Sequence, residues 1–215
     1  MYLWTEKRLP DRKGLNAMKS AEVKYSALNE LAEQGGIVIL GGEEDMNLPL
    51  CELKQAFSLN SSLYNRSVRG LSVNNAKEVY DLYISPLQPE CILLHLGAAD
   101  TELFLTDSEE FDRRMHEVVR YIKARNQKCE IALISLRNHE NDANIASMNK
   151  HLQYIAESER CRYGDIAARR VWNPKETQSA VSFVYSIGFV RPLKNKHPLN
   201  DIIRILYCYS DSKAS

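Results

Sequence analysis

Ile37-Val38-Ile39-Leu40-Gly41-Gly42-Glu43-Glu44-Asp45 is the stretch that decides the fold. Four apolar residues, three of them β-branched, suit a short strand buried on both faces. The glycine pair then turns the chain at the strand's carboxyl end. An α/β enzyme commonly presents a nucleophile in such a turn. Here no serine, cysteine or threonine stands in it; three carboxylates do.

On either side, apolar runs alternate with longer amphipathic stretches. Residues 17–34 read as a helix with Val23, Ala27, Leu28 and Leu31 on one face, ended by Gly35-Gly36. A short helix is expected at 50–57 and a strand at 63–68. A helix over 72–87 would be capped by Ser72 or Asn74 and stopped near Pro86. Cys91-Ile92-Leu93-Leu94-His95-Leu96 is the next strong strand, ending at Gly97. Residues 108–126 predict a helix capped by Ser108, with Phe111, Met115, Val118, Val119 and Ile122 as its apolar stripe. A strand at 130–136, a helix at 144–158 and a short strand at 162–166 follow. Beyond them lie an extended stretch at 181–190 and a last helix from about Asn200 or Asp201 through Tyr209.

This alternation predicts a largely parallel sheet with helices on both faces. Residues 1–36 read as an N-terminal helical extension packing on a single α/β domain over 37–215. Ligands of such sheets bind beyond the carboxyl ends of the strands. The loops starting at Gly41, Gly70, Gly97 and Ser135 should therefore line one crevice.

Composition narrows the function classes. The chain has 215 residues, 44% of them hydrophobic and 26% charged, enough for a substantial core. Lys+Arg and Asp+Glu both number 28, so no general attraction to nucleic acid or to an anionic membrane is expected. No apolar run approaches membrane-spanning length, and a cytoplasmic location is the expectation. The five cysteines show no CxxC spacing; Cys91 and Cys129 border apolar runs and read as buried thiols. His116, His139 and His151 have no metal-ligand spacing, and His95, inside an apolar strand, reads as a hydrogen-bonded core histidine. Neither a cofactor nor a metal is expected, and the sequence leaves the oligomeric state open.

Four blocks in order resemble the SGNH (GDSL) hydrolase family, most closely its bacterial members similar to platelet-activating-factor acetylhydrolase. Ile37-Val38-Ile39-Leu40-Gly41-Gly42-Glu43 stands where that family has a hydrophobic strand followed by Gly-Asp-Ser. Asn65-Arg66-Ser67-Val68-Arg69-Gly70 stands for Asn-Arg-Gly-Ile-x-Gly. Gly97-Ala98-Ala99-Asp100, after a strand introduced by Pro89-Glu90, stands for Gly-x-Asn-Asp. Lys194-Asn195-Lys196-His197 stands for Asp-x-x-His. The resemblance implies a three-layer α/β/α, flavodoxin-like fold with five mostly parallel strands in the order 2-1-3-4-5. It also implies a serine nucleophile, a histidine base, an orienting aspartate and an oxyanion hole containing an asparagine.

At those positions this chain carries Glu43 for the serine, Lys194 for the aspartate and Ala99 for the asparagine, while Gly70 and His197 are retained. A glutamate cannot supply a serine hydroxyl, and its charge would repel a developing oxyanion. Losing one oxyanion donor alone typically costs roughly a hundred- to a thousandfold in rate. The leading expectation is a degenerate hydrolase-like protein that keeps a crevice for a ligand or partner, the family's acyl esters and carbohydrate esters suggesting the ligand. Gly42, Gly70, Ala99, Asp100 and Arg69 are the expected lining. The alternative is an acylhydrolase with an altered site using Glu43 and His197; a distant one gathers Glu43, Glu44, Asp45 and Asp100 around Mg²⁺. The default for Glu43 is a carboxylate capping a helix start and pairing with His197 or a nearby lysine. For Arg66 and Arg69, which flank Gly70, it is neutralisation of the acidic turn.

Overall fold

Ile37–Leu40 forms β1, with every residue buried. It lies between β2, Leu63–Asn65, and β3, Cys91–Leu94. β4, Glu130–Ile134, and β5, Arg162–Gly164, complete a five-stranded sheet in the order β2-β1-β3-β4-β5, parallel throughout. Ile37 pairs with both Leu63 and Cys91, Cys91 with Glu130, and Ala132 with Arg162. All strands therefore end at one edge of the sheet, as the sequence pattern requires. This architecture comes from a computed structural model, which describes residues 24–48, 50, 61–138 and 142–165. The expected elements at 181–190 and near 200–209, most of the helix at 50–57, and Lys194 and His197 lie outside the described residues.

Residues 24–30 form helix α1. Its expected apolar face is not the buried one: Leu28 is 41% exposed and Leu31 85%. Tyr25 is buried instead, its ring edge-on to Tyr83 and its hydroxyl donating to the Ser67 carbonyl at 2.5 Å. The helix expected from residue 72 starts later. Asn75 Oδ1 accepts from Ser72 N–H, and Ser72 Oγ accepts from Asn74 N–H, holding a turn ahead of α2, Ala76–Val79. Such short polar side chains bond their own backbone in competition with a helix. α2 continues through a wide π-helical turn, Tyr80–Ile84, into a 3₁₀ turn, Ser85–Leu87, that holds Pro86.

A short helix not anticipated from the sequence, α3, spans Thr101–Thr106; only Phe104 is buried, too little to give a period. α4 spans Ser108–Arg125, and its cap is Asp107 rather than Ser108, accepting from the Glu110 N–H at 3.0 Å. Phe111, Met115, Val118, Val119 and Ile122 are fully buried. Burial of those five side chains supplies roughly 10 kcal/mol of transfer free energy. α5, Ala143–Ser158, is capped by Asp142 and buries Met148, Leu152, Ile155 and Ala156. Cys91 and Cys129 are buried thiols; burial pushes Cys129 up to about 12 and Cys91 well above its usual range. Among the described residues no helix is long and apolar enough to cross a membrane.

Candidate ligand site at the strand ends

The turn after β1 is a single 3₁₀ turn, Glu43–Asp45, and its three acids part company. Each reaches a basic side chain from a different loop. Glu43 pairs with Arg69 from the loop after β2. Glu44 lies 3.6 Å from Arg137 Nε, just past β4. Asp45 meets His95, the first residue after β3, with Oδ2 at 2.9 Å and Oδ1 at 3.2 Å from Nδ1. The carboxylate accepts there, so Nδ1 carries the proton. The acidic turn thus ties the ends of β1, β2, β3 and β4 together.

The Asp45–His95 pair is the buried one, its side chains 1% and 6% exposed. Asp45 Oδ2 also accepts the Gly42 N–H at 3.0 Å, so Asp45, not Glu43, caps the turn. A methyl group on Gly41 would overlap the Asp45 carboxylate, which explains the glycine there. Backbone bonds reinforce the turn. Asn65 Nδ2 donates to the Asp45 carbonyl at 2.7 Å, Asn65 Oδ1 accepts from Ser67 N–H, and Ser67 Oγ accepts from Gly41 N–H. Burial lowers the pKa of Arg137, opposed by the charges of Glu44 and Asp45.

The structure brings Gly42, Glu43, Arg69 and Gly70 together at the carboxyl edge of the sheet. Gly42 and Gly70 both face open space, and Gly70, at φ +69°, holds a conformation that favours glycine. Arg66 goes elsewhere. Its guanidinium bonds Asn29 Oδ1 at 2.9 and 2.6 Å and lies over the Tyr25 and Tyr64 rings, on the α1 side, so it does not neutralise the acidic turn. Ala99 is exposed in the turn Ala98–Asp100. Asp100 is buried, and its carboxylate accepts from Val73 N–H at 3.1 and 3.3 Å, clamping the segment that follows Gly70. Burial raises its pKa to about 6, against the pull of that N–H and of Arg114.

Among the described residues no three His, Cys, Asp or Glu side chains gather as a metal site; the acids proposed for Mg²⁺ diverge towards separate partners. Sequence reasoning passed over Arg137, and gave Asn65 and Ser67 no role beyond their place in the second block. Their signal was positional: each sits at, or within three residues of, a strand end. The Asp45–His95 pair is a contact across 50 positions of sequence; its only trace is that both residues follow adjacent strands.

No family model and no curated protein matches the sequence. Solved structures do match the fold. One is a Streptococcus pneumonia protein named for platelet activating factor, at 18% identity and a TM-score of 0.64, over 81% of this chain and 92% of that one. A GDSL-like lipase from Bacteroides thetaiotaomicron matches at 14% identity and 0.57, over 90% and 98%. A catalytic mutant of an acetylxylan esterase from Geobacillus stearothermophilus matches at 16% and 0.52, over 75% and 99%. The sheet order, the strand-end loops and these neighbours agree: the chain has the fold of the SGNH (GDSL) hydrolases.

Proposed function

We propose that this is a degenerate SGNH-type protein, without serine esterase activity, whose strand-end crevice binds a ligand. The observation that carries the reading is Glu43 itself. It stands at the position that the block resemblance gives to the nucleophile, and its carboxylate is ion-paired with Arg69 beside Gly70. A carboxylate held there offers no hydroxyl and opposes an oxyanion, while Ala99 offers no side-chain donor. The ligand class proposed is a small acyl ester or acetylated carbohydrate, the substrate type named for the acetylxylan esterase neighbour. We place the protein in the cytoplasm.

The test is hydrolysis of short-chain aryl esters by wild type and His197→Ala. No turnover above the uncatalysed rate in either is expected. Turnover abolished by His197→Ala would establish the alternative, an acylhydrolase using Glu43 and His197. Combining Glu43→Ser, Ala99→Asn and Lys194→Asp tests the block assignment, and esterase activity gained by that variant supports it. Acetylated xylo-oligosaccharides titrated into the wild type, followed by NMR, test the ligand class; unchanged spectra would remove it.

A further inference from the structure

The opposite edge of the sheet carries a second, unrelated feature. Where α4 ends and β4 and β5 begin, a recess of about 450 Å³ opens. Lys123 from α4, Arg160 from the α5–β5 turn and Arg162 at the start of β5 line it, with Gln127 beside them. One carboxylate, Glu130, faces these three cations, so the lining carries a net charge of 3 − 1 = +2. The Cys129 thiol, also in the lining, stays neutral because it is buried.

Not all of that charge is spare. Lys123 donates to the Glu159 carbonyl, covering the carboxyl end of α5, where a cation is favourable in any case. Arg162 pairs with Glu130 at 3.1 Å, with both side chains nearly half exposed. Arg160 differs from both. Among the described residues it makes no ion pair, and its backbone is left-handed at φ +53°. That position, just past a helix end, is the one glycine fills best. An arginine there keeps a strained backbone and places a guanidinium in the recess lining. The left-handed residue closes the helix, Arg160 N–H donating to the Glu157 carbonyl and Cys161 N–H to the Ala156 carbonyl.

We propose that this recess binds the phosphoryl group of a small phosphorylated metabolite, held by Arg160 and Arg162 with Gln127 donating. A phosphomonoester carries close to two negative charges at neutral pH, which matches the lining. Arginine forks suit its oxygens. The volume falls in the range of small-molecule sites and exceeds what a bare oxyanion fills. Ile131 and the Cys129 thiol provide an apolar wall for the remainder. The exposed Arg162–Glu130 pair can exchange its partner for the ligand at little cost.

Glycerol 3-phosphate titrated into the full chain tests this by thermal shift and NMR, with sodium chloride at matched ionic strength, glycerol and inorganic phosphate as controls. Wild type should be stabilised by glycerol 3-phosphate and not by the chloride or glycerol controls. Arg160→Gly relieves the left-handed arginine, so it should melt no lower than wild type yet bind at least fivefold more weakly. Arg162→Ala should weaken binding as well. A shift reproduced by chloride, or full binding retained by Arg160→Gly, would overturn the proposal. An equal response to inorganic phosphate would overturn the metabolite assignment in favour of the free anion. Esterase assays at the other edge of the sheet do not bear on this result.

Discussion

Two ion pairs at opposite edges of one parallel sheet differ in their access to water. At the carboxyl edge, Asp45 and His95 meet at 2.9 Å with side chains 1% and 6% exposed. At the amino edge, Glu130 and Arg162 meet at 3.1 Å with side chains 45% and 40% exposed. The contact lengths are nearly the same, and the difference is water. Removing one partner of a buried pair leaves a polar or charged group with nothing to replace it. Removing one partner of an exposed pair lets solvent take its place. The turn after β1 is therefore part of what holds the fold together, whereas the amino-edge cations can exchange partners for a ligand. Three carboxylates stand in that turn, Asp45 in a buried pair with His95, Glu43 and Glu44 exposed beside Arg69 and Arg137.

The sharpest way to break the contrast is Asp45→Ala. It strands His95 Nδ1 and the Gly42 N–H together, and a loss of about 3–5 kcal/mol is expected in urea unfolding. A loss below about 1 kcal/mol would show that the turn is no weld. Gly41→Ala displaces the same carboxylate, so its cost should shrink in the Asp45→Ala background, a non-additivity that a double-mutant cycle measures.

Asp100 gives the next effect, and it depends on pH. Its folded pKa, about 6, lies above its ordinary 3.8. Between those values the folded protein keeps a proton that the unfolded chain has released. The stability contributed by the neutral carboxyl is full below about pH 4 and is lost as the pH rises through 6. The difference corresponds to roughly 3 kcal/mol. Wild type should therefore lose about that much stability relative to Asp100→Asn between pH 4 and 7. Parallel pH profiles for the two proteins would contradict the assignment.

The smallest effects should come from the exposed pairs. Glu43→Gln and Glu130→Gln should each change stability by less than about 1 kcal/mol, and less still in high salt. A Glu43→Gln loss as large as that of Asp45→Ala would erase the distinction between the buried acid and its exposed neighbours.

Much of this was legible in the sequence, for identifiable reasons. Ile37–Leu40 and Cys91–Leu94 are uninterrupted apolar runs, and every residue in them is buried. The α4 stripe has the helical period and is fully buried. Arg69 pairs with Glu43, one acid of the turn, and His95 is a hydrogen-bonded core histidine, as its residue type suggested. What failed was local or long-range. Leu28 and Leu31 look like a buried face, but Tyr25 reaches the core because its hydroxyl finds the Ser67 carbonyl. Arg66 looks like a crevice residue, but Asn29 and two tyrosine rings hold it on the other side. Ser72 and Asn75 delay α2 through side-chain bonds that no apolar period records.

The central claim is that the turn after β1 holds ion pairs in place of a nucleophile. The most direct measurement is hydrolysis of p-nitrophenyl acetate by purified wild type beside Glu43→Gln, which leaves the Asp45–His95 pair untouched. The account predicts that both match the uncatalysed rate. Turnover by wild type that Glu43→Gln abolishes would contradict it, because Glu43 would then be acting on substrate.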